Sequence, residues 1–331
     1  MNPLKELKVL YLSKKDVEDV GLSMLDIIDE VEQVFIEKGK GMVEMPPKPG
    51  IHPGKDSFIH AMPAYVSQKK AAGMKWVSGN PENFRVDLPY IMGLIIMNDP
   101  DTGAPIAIMD ASWITAKRTA AATAVAAKYM ASEQSEVMAI LGCGVEARTH
   151  LEALPIVCPN VKSIKVHDIF EAHQKKFIEE MEAKYPEYRI SGMANPYEAV
   201  DGADIVISVI SIENPPPPII QREWLKEGCF GAAVAFDSGW SAPALACFDK
   251  IATDDVEQLN YYRSLGFFKS TPKIEIELAD VVLGKTAGRA AKNERTMTVN
   301  LGLAIEDMVT GIRIFKEAKE KNIGTWLPLY E

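Results

Sequence analysis

Cysteine is scarce. Cys143, Cys158, Cys229 and Cys247 are the four in 331 residues, and none forms a C-x-x-C pair. That excludes a disulfide framework and leaves reduced thiols of an intracellular protein. The five histidines, His52, His60, His150, His167 and His173, show no ligand spacing, so no metal is expected. Long apolar runs are missing as well: residues 91–97 and 229–236 fall far short of the roughly 20 a membrane span needs. The first 20 residues carry charges every few positions and lack the apolar core of a signal peptide. Positive charge is never clustered. Against 46 Asp and Glu stand 36 Lys and Arg, a net charge of −10, with no run of five or more basic residues. Nucleic acid and membrane are therefore excluded as expected partners. There are no internal repeats and no G-x-S-x-G nucleophile motif. A soluble, cytoplasmic protein is expected.

What is present is enough apolar residue, 47%, for two packed domains at roughly 100–200 residues each. Residues 24–38 place Leu25, Ile28, Val31, Phe35 and Ile36 at helical spacing. A loop rich in proline and glycine (45–54) follows. Four short apolar runs, 58–64, 71–77, 90–97 and 105–109, then predict an antiparallel meander, with a hairpin loop at 99–103. Residues 116–131 switch to helix, eight of the sixteen being Ala. Beyond them strands (137–141, 163–167, 203–210) alternate with helices (145–154, 171–184), the pattern of a parallel sheet with right-handed crossovers. The four prolines 215–218 mark a loop at the end of a strand. A long amphipathic helix is predicted over 299–318, then a short tail ending in Trp326-Leu-Pro-Leu. The pattern is an α/β domain inserted in, or following, an α+β domain.

Gly142-Cys-Gly144-Val-Glu-Ala147 is a G-x-G-x-x-A turn set between the strand VMAIL and the helix EARTHLEAL. The first glycine permits the turn, the second lets a pyrophosphate approach the backbone, and Ala147 lets helix and strand pack closely. The helix N-terminus adds charge complementarity. Asp168 ends the next strand, 21 residues beyond Ala147, where an acid holds the adenosine ribose hydroxyls. It would repel a 2′-phosphate, and Ile169 and Phe170 bring no compensating cation, so NAD is expected over NADP. Val145 and Ser208 complete the cofactor-binding set read from this domain. Lys48 in the proline loop, Lys75 within the apolar strand and Arg118 at the start of the alanine-rich helix are candidate anchors for an anionic substrate. A lysine inside an apolar strand is costly unless something pairs with it. Asp237 closes the apolar run 229–236 at a strand end, where doubly wound folds bind ligands.

Taken together, MPAYV at Met62, GMKWVSGNPEN from Gly73, NDPDTGAPIAIMDA, ITAKRTAAATA from Ile114, ILGCGVEARTH and NLGLAIED stand in the order of a known family. The chain resembles the ornithine cyclodeaminase/μ-crystallin family across nearly its whole length. The resemblance implies a Rossmann-type doubly wound parallel sheet (121–302) plus a discontinuous α+β substrate-binding and dimerisation domain (1–120 and 303–331). It implies that Lys75 and Arg118 bind an amino-acid substrate, Arg118 by a bidentate grip on its carboxylate. Thr119 would approach the cofactor pyrophosphate, and Asp237 would be the catalytic acid that manages the amine protons. Three positions depart from the family pattern: Lys48 replaces an Arg, SGWSAPAL follows Asp237, and Asn300 replaces a small hydroxyl residue. They lie around the substrate and nicotinamide. The expected function is NAD-dependent chemistry at the Cα–N bond of a small amino acid or cyclic imino acid, by a homodimer acting as dehydrogenase, imine reductase or cyclodeaminase. A non-catalytic binder of NAD(P)H and a small ligand, like μ-crystallin, is the alternative.

Overall fold

The computed structural model describes residues 7–54 and 57–330, the side chain of Phe84 excepted. The chain divides into two compact units, Met1–Arg118 with Leu303–Glu331, and Thr119–Gly302. The first crossing therefore falls at Arg118, inside the alanine-rich helix Ser112–Met130, two residues before the expected 120.

The discontinuous unit is built on a sheet whose order is Thr325–Tyr330, Leu7–Leu12, Pro105–Asp110, Ile91–Asn98, Ala71–Gly79, Phe58–Val66 and Val43–Glu44. The meander from Phe58 to Asp110 is antiparallel. Leu7–Leu12 joins it in parallel with Pro105–Asp110 and antiparallel with Thr325–Tyr330. A two-residue strand, Gly50–Ile51, pairs with Phe58–Val66 inside what reads as a plain loop. Side chains alternate across the strands: Met62, Lys75, Ile95 and Met109 stand in register and are buried. Helix Ala304–Lys321 packs on the strands on this side, where its Gly311 lies against Met97 and Ile95. Helices Lys14–Val20 and Met24–Gly39 each begin at a reciprocal Ser–Asp cap, Ser13 with Asp16 and Ser23 with Asp26.

The continuous unit is an all-parallel sheet. Its order is Arg189–Gly192, Ser163–His167, Val137–Leu141, Ile205–Ser208, Phe230–Ala233, Thr296–Val299, Lys250–Thr253 and Ile276–Glu277. The central strands are buried on both faces, which is why they read as unbroken apolar runs. From Val137–Leu141 the chain first adds strands on one side and then turns to the other, making the topological switch at which such sheets bind ligands.

Two expectations at the C-terminal end are corrected. Residues 296–299 (TMTV) are a buried central strand, and the helix starts at Ala304 rather than 299. Gly302 at φ +77° breaks the run, and the buried Asp254 carboxylate accepts the N–H groups of Leu301 and Gly302. The tail is the edge strand Thr325–Tyr330, released from the helix by Asn322 in the left-handed conformation.

Candidate active site

The G-x-G-x-x-A turn lies where the sequence places it, between Val137–Leu141 and helix Val145–Val157. Gly142 has φ +97°, and a Cβ there would stand 2.8 Å from the Val209 carbonyl oxygen, so glycine is required. At Gly144, the helix N-cap, a Cβ would meet nothing within 4 Å, leaving open space before N–H groups that no side chain caps. Ala147 is buried against the sheet and Val145 is exposed. Asp168 sits beside the turn, its Oδ2 accepting the Cys143 N–H at 2.8 Å and its Oδ1 the Phe170 N–H at 2.9 Å. Burial pushes the Cys143 thiol up to about 12, which leaves it inert. Required glycine, open approach, uncapped helix terminus and adjacent carboxylate fit a dinucleotide.

Two side chains that the motif does not advertise brace this turn. Arg148 Nη1 donates to the carbonyls of Cys143 (2.6 Å) and Gly144 (3.0 Å), while its Nε and Nη2 hold Glu180 and its plane lies over Phe177. With those carbonyls engaged, the turn is fixed in one orientation. His150 is fully buried and driven down to about 4 by burial, so it is neutral. Its Nδ1–H donates to the Glu146 carbonyl, which leaves Nε2 to accept the Thr123 hydroxyl at 3.0 Å. That bond ties the cofactor helix to the turn of Ser112–Met130 beginning at Thr119.

Asp237 follows Phe236, a non-glycine residue held at φ +55° and packed on Tyr262, Phe267 and Phe268. Such strain is characteristic of functional turns. The carboxylate is 2% exposed and accepts the Thr271 hydroxyl at 3.0 Å on Oδ2. Burial lifts its pKa above the usual carboxylate value, opposed by the Thr271 bond, its own backbone and Arg263. Ser208, expected at the cofactor, donates its hydroxyl to the Ser238 carbonyl at 2.7 Å and so supports the Asp237 loop. Asn300 is buried beside the end of this sheet, its Oδ1 accepting the Thr298 hydroxyl.

In the discontinuous unit, Lys75 and Arg118 come together around two acids. Lys75 Nζ lies 2.7 Å from Asp307 Oδ2. Arg118 Nε donates to Asp307 Oδ1 at 3.0 Å and Nη1 to Glu306 Oε2 at 2.9 Å. All four are buried. The acids occupy the first turn of Ala304–Lys321, where the helix dipole favours negative charge. Through Nε and Nη1, Arg118 thus holds two of the chain's own carboxylates. Burial, assisted by the Arg118 charge, pulls Lys75 down to about 7 against the pull of Asp307, and Lys48 lowers it a little further. Lys48 is itself buried and near enough to His60 to help burial push that imidazole down to about 4. Sequence reasoning missed the roles of Glu306, Asp307, His60, Thr271 and Arg148. The adjacent acids in an apolar stretch were the one available signal; the others had none.

A parallel-sheet unit with a dinucleotide turn and a buried acid, and an α+β unit with a buried cation–carboxylate cluster, define a nicotinamide-type two-unit protein. The chain belongs to the ornithine cyclodeaminase/mu-crystallin family, matching it over residues 8–322. It is 34% identical over 320 residues to the nodulation efficiency protein NfeD of Rhizobium meliloti, covering 96% of this chain and 98% of that protein. Among solved structures it resembles the Delta(1)-pyrroline-2-carboxylate reductase of Thermococcus litoralis in complex with NADH and L-proline. The TM-score is 0.86 at 34% identity, covering 96% of this chain and 99% of that one. An archaeal alanine dehydrogenase dimer with bound NAD gives a TM-score of 0.86 at 29% identity, covering 98% and 100%.

Proposed function

We propose that this protein is an NAD-dependent enzyme of the Cα–N bond, oxidising a small α-amino acid or reducing the matching imino acid. Asp237 carries the reading: a carboxylate buried to 2% exposure in the unit that holds the dinucleotide turn, suited to a cationic nitrogen. NAD, held by Gly142, Gly144, Val145, Ala147, Asp168 and Thr119, supplies the acceptor or donor of the Cα hydride. Asp168 excludes a 2′-phosphate by charge. Lys75, Arg118 and Lys48 hold the substrate carboxylate, and Asp237 takes the nitrogen proton during oxidation and returns it during reduction. Amino acid and NAD⁺ thereby give imino acid, NADH and a proton. A cyclic imine is released as such, whereas an open-chain imine adds water and loses ammonia.

The test follows NADH and ammonia together, with alanine, proline, pyrroline-2-carboxylate and ornithine as probes. Stoichiometric NADH change with alanine, proline or the pyrroline is expected. Proline and ammonia formed from ornithine without NADH accumulation would replace this reading with cyclodeamination. NADPH should be a markedly poorer reductant than NADH.

The residues 1–118 and 303–331 are also the dimerising unit in this reading. One sheet face is buried under helices, while Tyr11, Met74, Trp76, Leu94, Ile96 and Ile108 line the other, with Trp76 43% and Leu94 44% exposed. So large an apolar face suits a second copy of the chain. Light scattering should give the dimer mass, and Trp76→Lys with Leu94→Lys should give monomers. Reduced cysteines and a nicotinamide substrate fit a cytoplasmic enzyme. Among the described residues, no helix is long and apolar enough to cross a membrane.

A further inference from the structure

The segment between helix Val256–Ser264 and strand Ile276–Glu277 has no part in the dinucleotide turn, yet it closes over Asp237 at two points. Phe268, 1% exposed and itself at φ +54°, packs its ring 5.0 Å from that of Phe236, the residue before the acid. Three residues later Thr271, 5% exposed, donates its hydroxyl to Asp237 Oδ2 at 3.0 Å. The loop is fastened from behind by Arg263, whose Nη2 donates to the carbonyls of Thr271 (3.2 Å) and Pro272 (3.0 Å).

We infer that Thr271 is a positioning residue: its hydroxyl orients the Asp237 carboxyl and keeps it ionised, and Arg263 holds the loop that delivers the hydroxyl. The physical reason is a balance between burial and hydrogen bonding. A carboxylate at 2% exposure is drawn toward its neutral form, and a neutral Asp237 no longer accepts a proton from a substrate amine. A hydroxyl has one proton to give, and giving it to Oδ2 favours the charged form. Facing Asp237 are the Thr271 hydroxyl from the loop, the Arg263 guanidinium from the helix and the acid's own N–H. Arg263 is the charged group among them. Tyr262, packed on Phe236, is kept protonated by burial. Thr271 therefore sets Asp237 by direct contact, whereas Arg263 acts at longer range and through the loop backbone.

This inference rests on Asp237 handling the amine proton, and the experiment separates the two claims. The Asp237 carboxyl is titrated by NMR in ¹³C-aspartate-labelled protein, its signal assigned by its loss in Asp237→Asn. The pH profile of kcat/KM is measured in parallel with L-proline and NAD⁺, the direction in which Asp237 accepts the proton. In Thr271→Val the carboxyl titration and the acid limb of the profile should both move up by about one pH unit, the size of a lost bond to a charged group. Thr271→Ser, which keeps the donor, should return both to wild type. A Thr271→Val titration equal to wild type, in a protein whose thermal melt shows it folded, overturns the inference. Wild-type turnover by Asp237→Asn overturns instead the role given to Asp237, whatever the titration shows.

Discussion

The two units manage polar groups by opposite means. Thr119–Gly302 uses backbone: a glycine turn, an uncapped helix terminus and carbonyls turned aside by Arg148. The discontinuous unit uses buried side-chain charge, with Lys75 and Arg118 neutralised by Glu306 and Asp307. Backbone donors carry no net charge, tolerate burial and stay fixed over all pH. Buried cations offer stronger attraction for a carboxylate, but they depend on their partners and on protonation.

The largest break in that comparison comes from removing one partner. Asp307→Ala leaves Lys75 without its ion pair in a dry site, and denaturant unfolding should show about 3–5 kcal/mol lost. No single side chain of the dinucleotide turn should cost as much.

Two glycines of the turn should then separate folding from binding. Gly142→Ala forces a Cβ to 2.8 Å from the Val209 carbonyl at φ +97°, and should lower stability by about 1–3 kcal/mol as well as weaken NADH. Gly144→Ala meets open space, so its melting curve should match wild type within about 0.5 kcal/mol. Its NADH affinity, read by fluorescence titration, should still fall ~10-fold because the methyl occupies the pyrophosphate approach.

Protonation sharpens the contrast further. Lys75 at about 7 is charged below that pH and neutral above it, so kcat/KM for a carboxylate substrate should fall as pH rises through about 7. Lys75→Arg stays charged and should carry the fall to higher pH. NADH affinity, resting on backbone, should stay flat over the same range. The smallest effect is expected at Arg148, whose replacement by Met should weaken NADH ~3-fold to ~10-fold through a looser turn. Substrate KM and the pH profile should be unchanged.

Much of the continuous unit was legible because its code is local. Strand, glycine turn, helix and Asp168 lie within one short stretch, and Gly142 answers to a backbone requirement. Legibility failed where period and partner were ambiguous. Residues 296–299 are four long, too short to distinguish strand from helix, and they run into the apolar start of the next helix. Residues 325–330 form a strand only because Leu7–Leu12, at the other end of the chain, offers its edge. Nothing in the sequence shows that the Ser208 hydroxyl is given to the Ser238 carbonyl.

The sequence by itself determined the acidic, cysteine-poor character, the dinucleotide turn and the anomaly of a lysine inside an apolar strand. Those are properties of composition or of neighbours along the chain. Tertiary structure alone decided what balances that lysine, because Lys75 of the meander meets Asp307 of the closing helix. It also decided what surrounds Asp237, because Thr271 reaches it across 34. Buried charge is settled by whichever groups share the same dry volume, and that is a fact of packing rather than of order along the chain.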